Sequence, residues 1–244
     1  MELKDKVIVV TGCTSGIGKS CVETIIRNGG AVLGICREQS KGDRLKSMLG
    51  DALQIIHFDL LNLNEIPSAF NDVNTKIDGL IHAAGVDCAS PLQIMEIQQY
   101  RRIMDINFGA FAFLAKELSS KRRKAPNQSF VCISSVASVK ARPGATFYAA
   151  SKGAIDSFTK SLSIELSTKG VRVNSVCPGL VQTPLLNEFF KNLTLQQQDK
   201  IIAQHPLGLG SPTDVAELCS FLLSDRSKWM TGSNIILDGG YINS

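Results

Sequence analysis

Lys6-Val7-Ile8-Val9-Val10 is a short β-branched run that passes directly into Thr11-Gly12-Cys13-Thr14-Ser15-Gly16-Ile17-Gly18. Residues 19–26 follow with apolar side chains at helical spacing. A run without polar alternation predicts a strand buried on both faces, and such strands belong to parallel sheets covered by helices. Strand, glycine-rich turn and helix start together make an anion site. Free backbone N–H groups and the positive end of the helix dipole face the same point. In such a turn Gly12 permits the tight bend, Gly16 lets backbone approach a phosphate and Gly18 lets helix pack on strand. The same arrangement also occurs as a plain β–α turn with no ligand. Its spacing, GxxxGxG, differs from the general GxGxxG dinucleotide fingerprint.

Strand and helix patterns alternate along the whole chain. Strands are expected near 6–11, 31–36, 53–58, 78–83, 129–134, 171–177 and 233–238, with helices filling the intervals and long ones near 95–120 and 147–169. Alternation of this kind predicts an α/β fold: a doubly wound, Rossmann-type parallel sheet of seven strands with helices on both faces. The 244 residues show no repeat, low-complexity tract or linker, so residues 1–244 read as one domain. With 44% hydrophobic and 20% charged residues the chain is able to bury a large core. No apolar run has the length that spans a bilayer, and the N-terminus enters a strand without room for a signal peptide. The seven cysteines form no CxxC pair, and they read as small buried hydrophobes in a reducing, cytoplasmic compartment. His57, His82 and His205 lack metal-ligand spacing, so no metal is expected.

Lys121-Arg122-Arg123-Lys124 is the one basic run. A net charge of only +4, with no aromatic residue interleaved in the run, argues against a nucleic-acid partner. Basic residues suit a helix C-terminus, where the dipole is negative, so a solvated cap is the expected role. The other reading is a contact with an anionic substrate or an acidic carrier, with Lys169 as a further member.

Tyr148-Ala149-Ala150-Ser151-Lys152 carries the chemistry. The i, i+4 spacing puts phenol and ammonium on one helix face. A fixed ammonium makes a tyrosine proton easier to release. The same pair is also common on exposed helices, so the rest of the chain decides. In order, the chain contains Thr11–Gly18, Asp59-Leu60, Ala83-Ala84-Gly85, Ile106-Asn107, Ile133-Ser134-Ser135, the Tyr148–Lys152 run and Pro178-Gly179-Leu180-Val181-Gln182-Thr183. In these motifs, over about 4–240, the chain resembles the short-chain dehydrogenase/reductase family, and within it the 3-oxoacyl-carrier-protein reductases. Ser135 stands thirteen residues before Tyr148, as in that family.

The resemblance implies an oxidoreductase that interconverts a carbonyl and a secondary alcohol. Tyr148 gives its proton to the carbonyl oxygen as hydride arrives, and takes it back in oxidation. Lys152 lowers the phenol's pKa and binds the nicotinamide ribose. Ser135 positions the substrate oxygen, and Asn107 holds a helix kink and a water linked to Lys152. The cofactor site implied comprises Gly12, Thr14, Ser15, Gly16, Ile17, Gly18, Arg37, Asp59, Leu60, Ala83, Ala84, Gly85, Tyr148, Lys152, Pro178, Gly179, Val181 and Thr183. Asp59 is expected at the adenine, and Thr183 with the backbone near Val181 at the carboxamide.

At the end of the second strand, Cys36-Arg37 stands where an NAD enzyme of this type carries an Asp. An arginine fork suits a 2′-phosphate, so NADP(H) is expected over NAD(H). The fourth strand ends His82-Ala83-Ala84-Gly85, where the family usually has Asn-Asn-Ala-Gly, and His82 is expected to take over a structural role. Residues 184–206 are expected to form a substrate lid. The substrate is a small carbonyl or alcohol, free or carrier-bound: a 3-oxoacyl thioester, or a sugar-like or cyclic ketone. The alternatives are an NAD-dependent dehydrogenase of such an alcohol and a non-catalytic nucleotide sensor. The resemblance implies a homotetramer, which the apolar C-terminal strand fits, with a dimer as second choice and each tail near a neighbour's lid.

Overall fold

The computed structural model describes residues 2–244 except 88, 89 and 192. Cys88 therefore lies outside the described residues. Seven parallel strands form one sheet: β1 (Val7–Thr11), β2 (Ala31–Cys36), β3 (Leu53–His57), β4 (Ile77–His82), β5 (Lys124–Ile133), β6 (Arg172–Pro178) and β7 (Asn234–Leu237). Their spatial order is β3-β2-β1-β4-β5-β6-β7. The order reverses between β1 and β4, the point at which doubly wound sheets open a crevice for ligands. Thr11 and His82 are register partners at the ends of these two strands.

Residues of one strand divide between two cores, as the period of two requires. Ile8 and Val10 join a cluster with Cys21, Val22, Ile25 and Leu222, beneath the helices α1 (Gly16–Arg27) and α8 (Pro212–Leu223). Val9 points the other way, to Leu80, Phe111, Leu114 and Phe130. Helices α2 (Gln39–Leu49), α3 (Ile97–Met104), α4 (Ala110–Leu118) and α5 (Thr146–Ser167) complete the layers. The six described cysteines are buried. No helix is long and apolar enough to cross a membrane, and no metal-ligand cluster is found among the described residues.

Four details differ from the sequence-based expectations. The connection from β3 to β4 holds two short 3-10 turns, Leu63–Glu65 and Ser68–Phe70, instead of an α-helix. Pro67 between them lacks the N–H that a helix would need. β5 begins five residues earlier than expected, at Lys124. Pro126 has no N–H for the ladder, and the strand continues past it through a register shift and Asn127 at φ 56°. Gln128 repairs the ladder there, donating to the carbonyls of Ile77 (2.7 Å) and Leu118 (3.0 Å).

The long helix expected near 95–120 is divided. A π-helical segment, Asp105–Gly109, separates α3 from α4 and places Asn107 at the break, where the kink was expected. The fourth difference is Arg123, which is no solvated cap. It is 1% exposed, and α4 ends five residues before it. Its guanidinium donates to Glu117 (3.1 Å) and to the carbonyls of Phe70 and Val73, so it closes the helix-free connection from inside. Lys121 and Arg122 are exposed, as expected of solvated residues.

Candidate active site

One cavity of about 690 Å³ lies over the carboxyl ends of the strands. Its floor at one end is the turn into α1. Gly12 has φ +64°, and a Cβ there would stand 3.0 Å from the backbone of Ala84, so only glycine suits the turn. Ser15 caps α1 without a side-chain hydrogen bond, and no acidic residue occupies the first turn. The positive helix end therefore stays open to an anion. Thr14, Ser15, Gly16 and Ile17 line the cavity. Gly18 does not line it: a Cβ there would lie 2.3 Å from the Gly12 carbonyl, so its part is close packing of helix on strand. A turn open to backbone approach beneath an uncapped dipole fits the pyrophosphate of a dinucleotide.

Arg37, Asp59, Leu60, Ala83, Ala84 and Gly85 also line the cavity, with Ala83 and Ala84 against the Gly12 turn. Arg37 is exposed at the rim. Glu38 at the same rim is ion-paired with Lys41 at 2.9 Å. One carboxylate oxygen of Asp59 accepts from the Leu61 N–H (3.0 Å), which fixes the turn and leaves the other oxygen for a ligand. Cys36 sits beside Cys13, with its Sγ 3.8 Å from His57 Nδ1, while His57 Nε2 lies 3.5 Å from Asp43. The neighbouring Cys13 thiol, and then His57, lower the Cys36 thiol to about 7 against the opposing effect of burial. Its partner Cys13 is pushed up. Sequence reading missed this cluster because its members are distant in the chain.

His82 takes the structural role expected of it. It is fully buried between Thr11 Oγ1 (3.0 Å from Nδ1) and the Ile106 carbonyl (3.0 Å from Nε2). The carbonyl must accept, so Nε2 carries the proton and Nδ1 accepts from the threonine. Thr11 Oγ1 in turn accepts from Ala84 N–H at 3.0 Å. Burial, then the charge of Lys152, lowers the imidazole to about 3, which keeps it neutral near pH 7. The neutral ring ties β1, the end of β4 and the π-helical break together.

The Tyr148–Lys152 segment is held by the same break. Asn107 Oδ1 accepts from Val86 N–H (2.8 Å), and its Nδ2 donates to the Val86 carbonyl (3.0 Å) and Ser151 Oγ (3.0 Å). Ser151 Oγ donates to the Tyr148 carbonyl at 2.7 Å. Asn107 thus braces α5 against the loop after β4 and does not itself line the cavity. Tyr148 and Lys152 lie on α5, with Lys152 Nζ 5.5 Å from the Tyr148 ring centre. Lys152 is 3% exposed, and its ammonium donates to the Ile133 carbonyl at 2.8 Å. Ser135 caps the turn Val136–Ser138, accepting from Ala137 N–H. Ser135, Tyr148, Lys152, Pro178, Gly179, Val181 and Thr183 all line the one cavity. A hydroxyl, a phenol and a cation so grouped can orient a carbonyl and deliver or remove its proton.

The lid expected at 184–206 contains two short helices, α6 (Pro184–Phe190) and α7 (Leu195–Ile202). Thr183 caps α6, accepting from Leu186 N–H at 3.3 Å, with Pro184 in the first helical position. The chain's own C-terminal residues pack at the base of this lid. Tyr241 stacks on His205 at 4.5 Å, and Lys140 Nζ lies 4.0 Å from the Tyr241 ring centre. Lys140, Arg142, Asp87 and Tyr241 line the cavity without having been picked out in sequence. For Lys140 and Arg142 a signal existed: any loop joining Ser135 to Tyr148 must pass the site. For Tyr241 there was none.

Fold and site together define an oxidoreductase working between carbonyl and alcohol with a nicotinamide dinucleotide. A family profile described as enoyl-(acyl carrier protein) reductase matches residues 12–242. The chain belongs to the short-chain dehydrogenase/reductase family. It is 30% identical to the 3-oxoacyl-(acyl-carrier-protein) reductase FabG of Rickettsia felis, covering 99% of each chain. It is 29% identical to the cyclopentanol dehydrogenase of Comamonas testosteroni, covering 98% of each. Among solved structures it superposes with a TM-score of 0.89 on one given as an NAD(P)-dependent gluconate 5-dehydrogenase from Beutenbergia cavernae with bound NADP at low occupancy. That chain is 25% identical, with 100% of this chain and 99% of the other covered.

Proposed function

We propose that the protein is an NADP(H)-dependent oxidoreductase that interconverts a ketone and a secondary alcohol, with Tyr148 as acid and base and a 3-oxoacyl compound as its substrate type. The observation that carries this is the meeting of Ser135, Tyr148 and Lys152 in one cavity with Arg37 at its far rim. When bound, the nicotinamide cofactor supplies or accepts the hydride. Gly12, Ser15 and Gly16 hold its pyrophosphate, and Arg37 binds a 2′-phosphate. The Ser135 hydroxyl holds the substrate oxygen. Tyr148 Oη protonates that oxygen in reduction and takes the proton in oxidation. Lys152, fixed on the Ile133 carbonyl, stands beside the phenol and holds the ribose. Asn107 keeps α5 seated so that this geometry persists.

NADP(H) is favoured by charge. No acidic side chain stands at Cys36, and Glu38 is held by Lys41. The NADP-bound relative supports the same reading. The cyclopentanol dehydrogenase relative favours the second reading, an NAD-dependent dehydrogenase of a cyclic alcohol. A carbonyl and alcohol panel run with NADPH and NADH decides between them. In binding titrations NADPH is expected to be the tighter cofactor. Arg37→Ala should weaken NADPH by about 1.5–3 kcal/mol, roughly 10- to 150-fold, and leave NADH nearly unchanged. Equal affinity of wild type for both cofactors refutes the Arg37 assignment.

The assembly we infer is a homotetramer in the reducing compartment of the cell. Ile164 on α5 is 73% exposed and Ile236 on β7 48% exposed, as apolar residues of a self-complementary interface are in an isolated chain. Light scattering at micromolar concentration should report four copies; a stable monomer rules the tetramer out.

A further inference from the structure

The substrate half of the cavity combines an apolar wall with positive charge. Leu185, Leu186 and Phe189 of the lid face it, and Arg102, Lys140 and Arg142 line it with them. The carboxylate on that side, Asp87, is already ion-paired with Arg142. Lys152 is bound to the Ile133 carbonyl. Among the described residues no acidic side chain pairs with Lys140 or Arg102. Arg102 is exposed, and Arg142 is paired with Asp87, whose other carboxylate oxygen is buried without a partner. The cation left without a counter-ion in the half-buried part of the cleft is therefore Lys140, whose field is focused on what enters.

The two loop cations are held in place. Lys140 Nζ donates to the Tyr241 carbonyl at 2.7 Å and rests over the Tyr241 ring at 4.0 Å. Arg142 lies over Phe189 at 4.7 Å. Its bond to Asp87 uses one of the five guanidinium N–H donors. The rest have no acceptor among the described residues. Cations fixed by aromatic faces, with donors to spare, are preorganised for an anion.

We propose that Lys140 and Arg142 form an anion-binding subsite, and that the substrate is a ketone or alcohol with an apolar middle and a carboxylate or phosphate at the end away from the reacting carbon. This rests on the oxidoreductase reading above. The shared chemistry is an oxyanion that accepts charge-assisted hydrogen bonds from an ammonium and a guanidinium.

The test titrates cofactor-loaded enzyme with three probes of matched length: 7-oxooctanoate, whose carboxylate lies at the end away from its ketone, the methyl ester of that acid, and n-octyl phosphate. Turnover of the first two is measured in parallel. The acid is expected to bind on the order of tenfold or more tighter than the ester. Lys140→Gln and Arg142→Gln should each weaken the acid by a similar factor, raising KM more than they lower kcat, with ester affinity little changed. The phosphate probe separates the two anion sources: preferred over the acid, it assigns a phosphate-bearing substrate, and otherwise a carboxylate. Equal binding of acid and ester by wild type overturns the subsite. So does an equal loss for both ligands in the variants, which would mark a structural role only. Tight, Lys140-dependent binding of the acid with no turnover under either cofactor upholds the subsite and overturns the oxidoreductase reading instead.

Discussion

Tyr148→Phe is expected to lower turnover by a factor on the order of 100 or more, the usual contribution of a positioned acid. The substitution removes one oxygen and keeps the ring whose centre lies 5.5 Å from Lys152 Nζ. The brace beneath is also untouched, because Ser151 bonds the backbone carbonyl of Tyr148 and not its side chain. Folding and cofactor affinity should therefore match wild type. The checks are circular dichroism, an NADPH titration and kcat on whichever substrate the panel returns. Turnover like that of wild type in a variant that binds cofactor normally would remove Tyr148 from the chemistry.

Arg123→Met is expected to cost about 3–5 kcal/mol of stability, the usual effect of removing one partner of a buried ionic cluster. Methionine fills part of the volume but returns none of the hydrogen bonds. The carbonyls of Phe70 and Val73 and the carboxylate of Glu117 lose their donor together. Glu117 is partly exposed, with 18% of its side chain accessible, and water can recover it. The carbonyl of Phe70 is bonded inside the fold and is harder to recover. For a domain of this size the loss corresponds to a fall in Tm of roughly 6–20 °C. Arg122→Met, one residue away and exposed, is the control, expected to change Tm by no more than a degree or two. Equal Tm for both variants would mean that Arg123 contributes no more than a surface charge.

These two residues also show how far sequence patterns reach. That Tyr148 shares a face with Lys152 is legible because a helix turns once in 3.6 residues, and its role became legible from the family motifs around the pair. Arg123 is illegible for the converse reason. In a run of four basic residues nothing local separates the buried one from its exposed neighbours. Its partners Phe70 and Val73 lie 53 and 50 positions earlier. The helix-free crossing from β3 to β4 and the internal arginine are one feature, seen from either end.

Cofactor geometry falls between these cases. The turn at Gly12 was readable from spacing, and its φ of +64° agrees. Gly18 was read as letting the helix pack on the strand, and a Cβ there would indeed meet the Gly12 carbonyl; the resemblance also counted it in the cofactor site, whose cavity it does not line. Asn107 was readable as a helix break. Its bonds to Val86 and Ser151 were not, since they join three separate elements.

The sequence by itself determined the seven-strand alternation, the anion turn and the spacing of Ser135, Tyr148 and Lys152. The alternation, the turn and the Tyr148–Lys152 pair follow from local periodicity and backbone sterics, whereas the place of Ser135 came from the family resemblance. Only the tertiary structure decided that His82 is a neutral buried strut and that Cys36 meets His57. It alone set Lys140 against Tyr241, 101 residues away, at the mouth of the cavity. The physical reason is burial. A side chain's charge state and partners depend on which distant groups exclude water from it, and no local pattern encodes that.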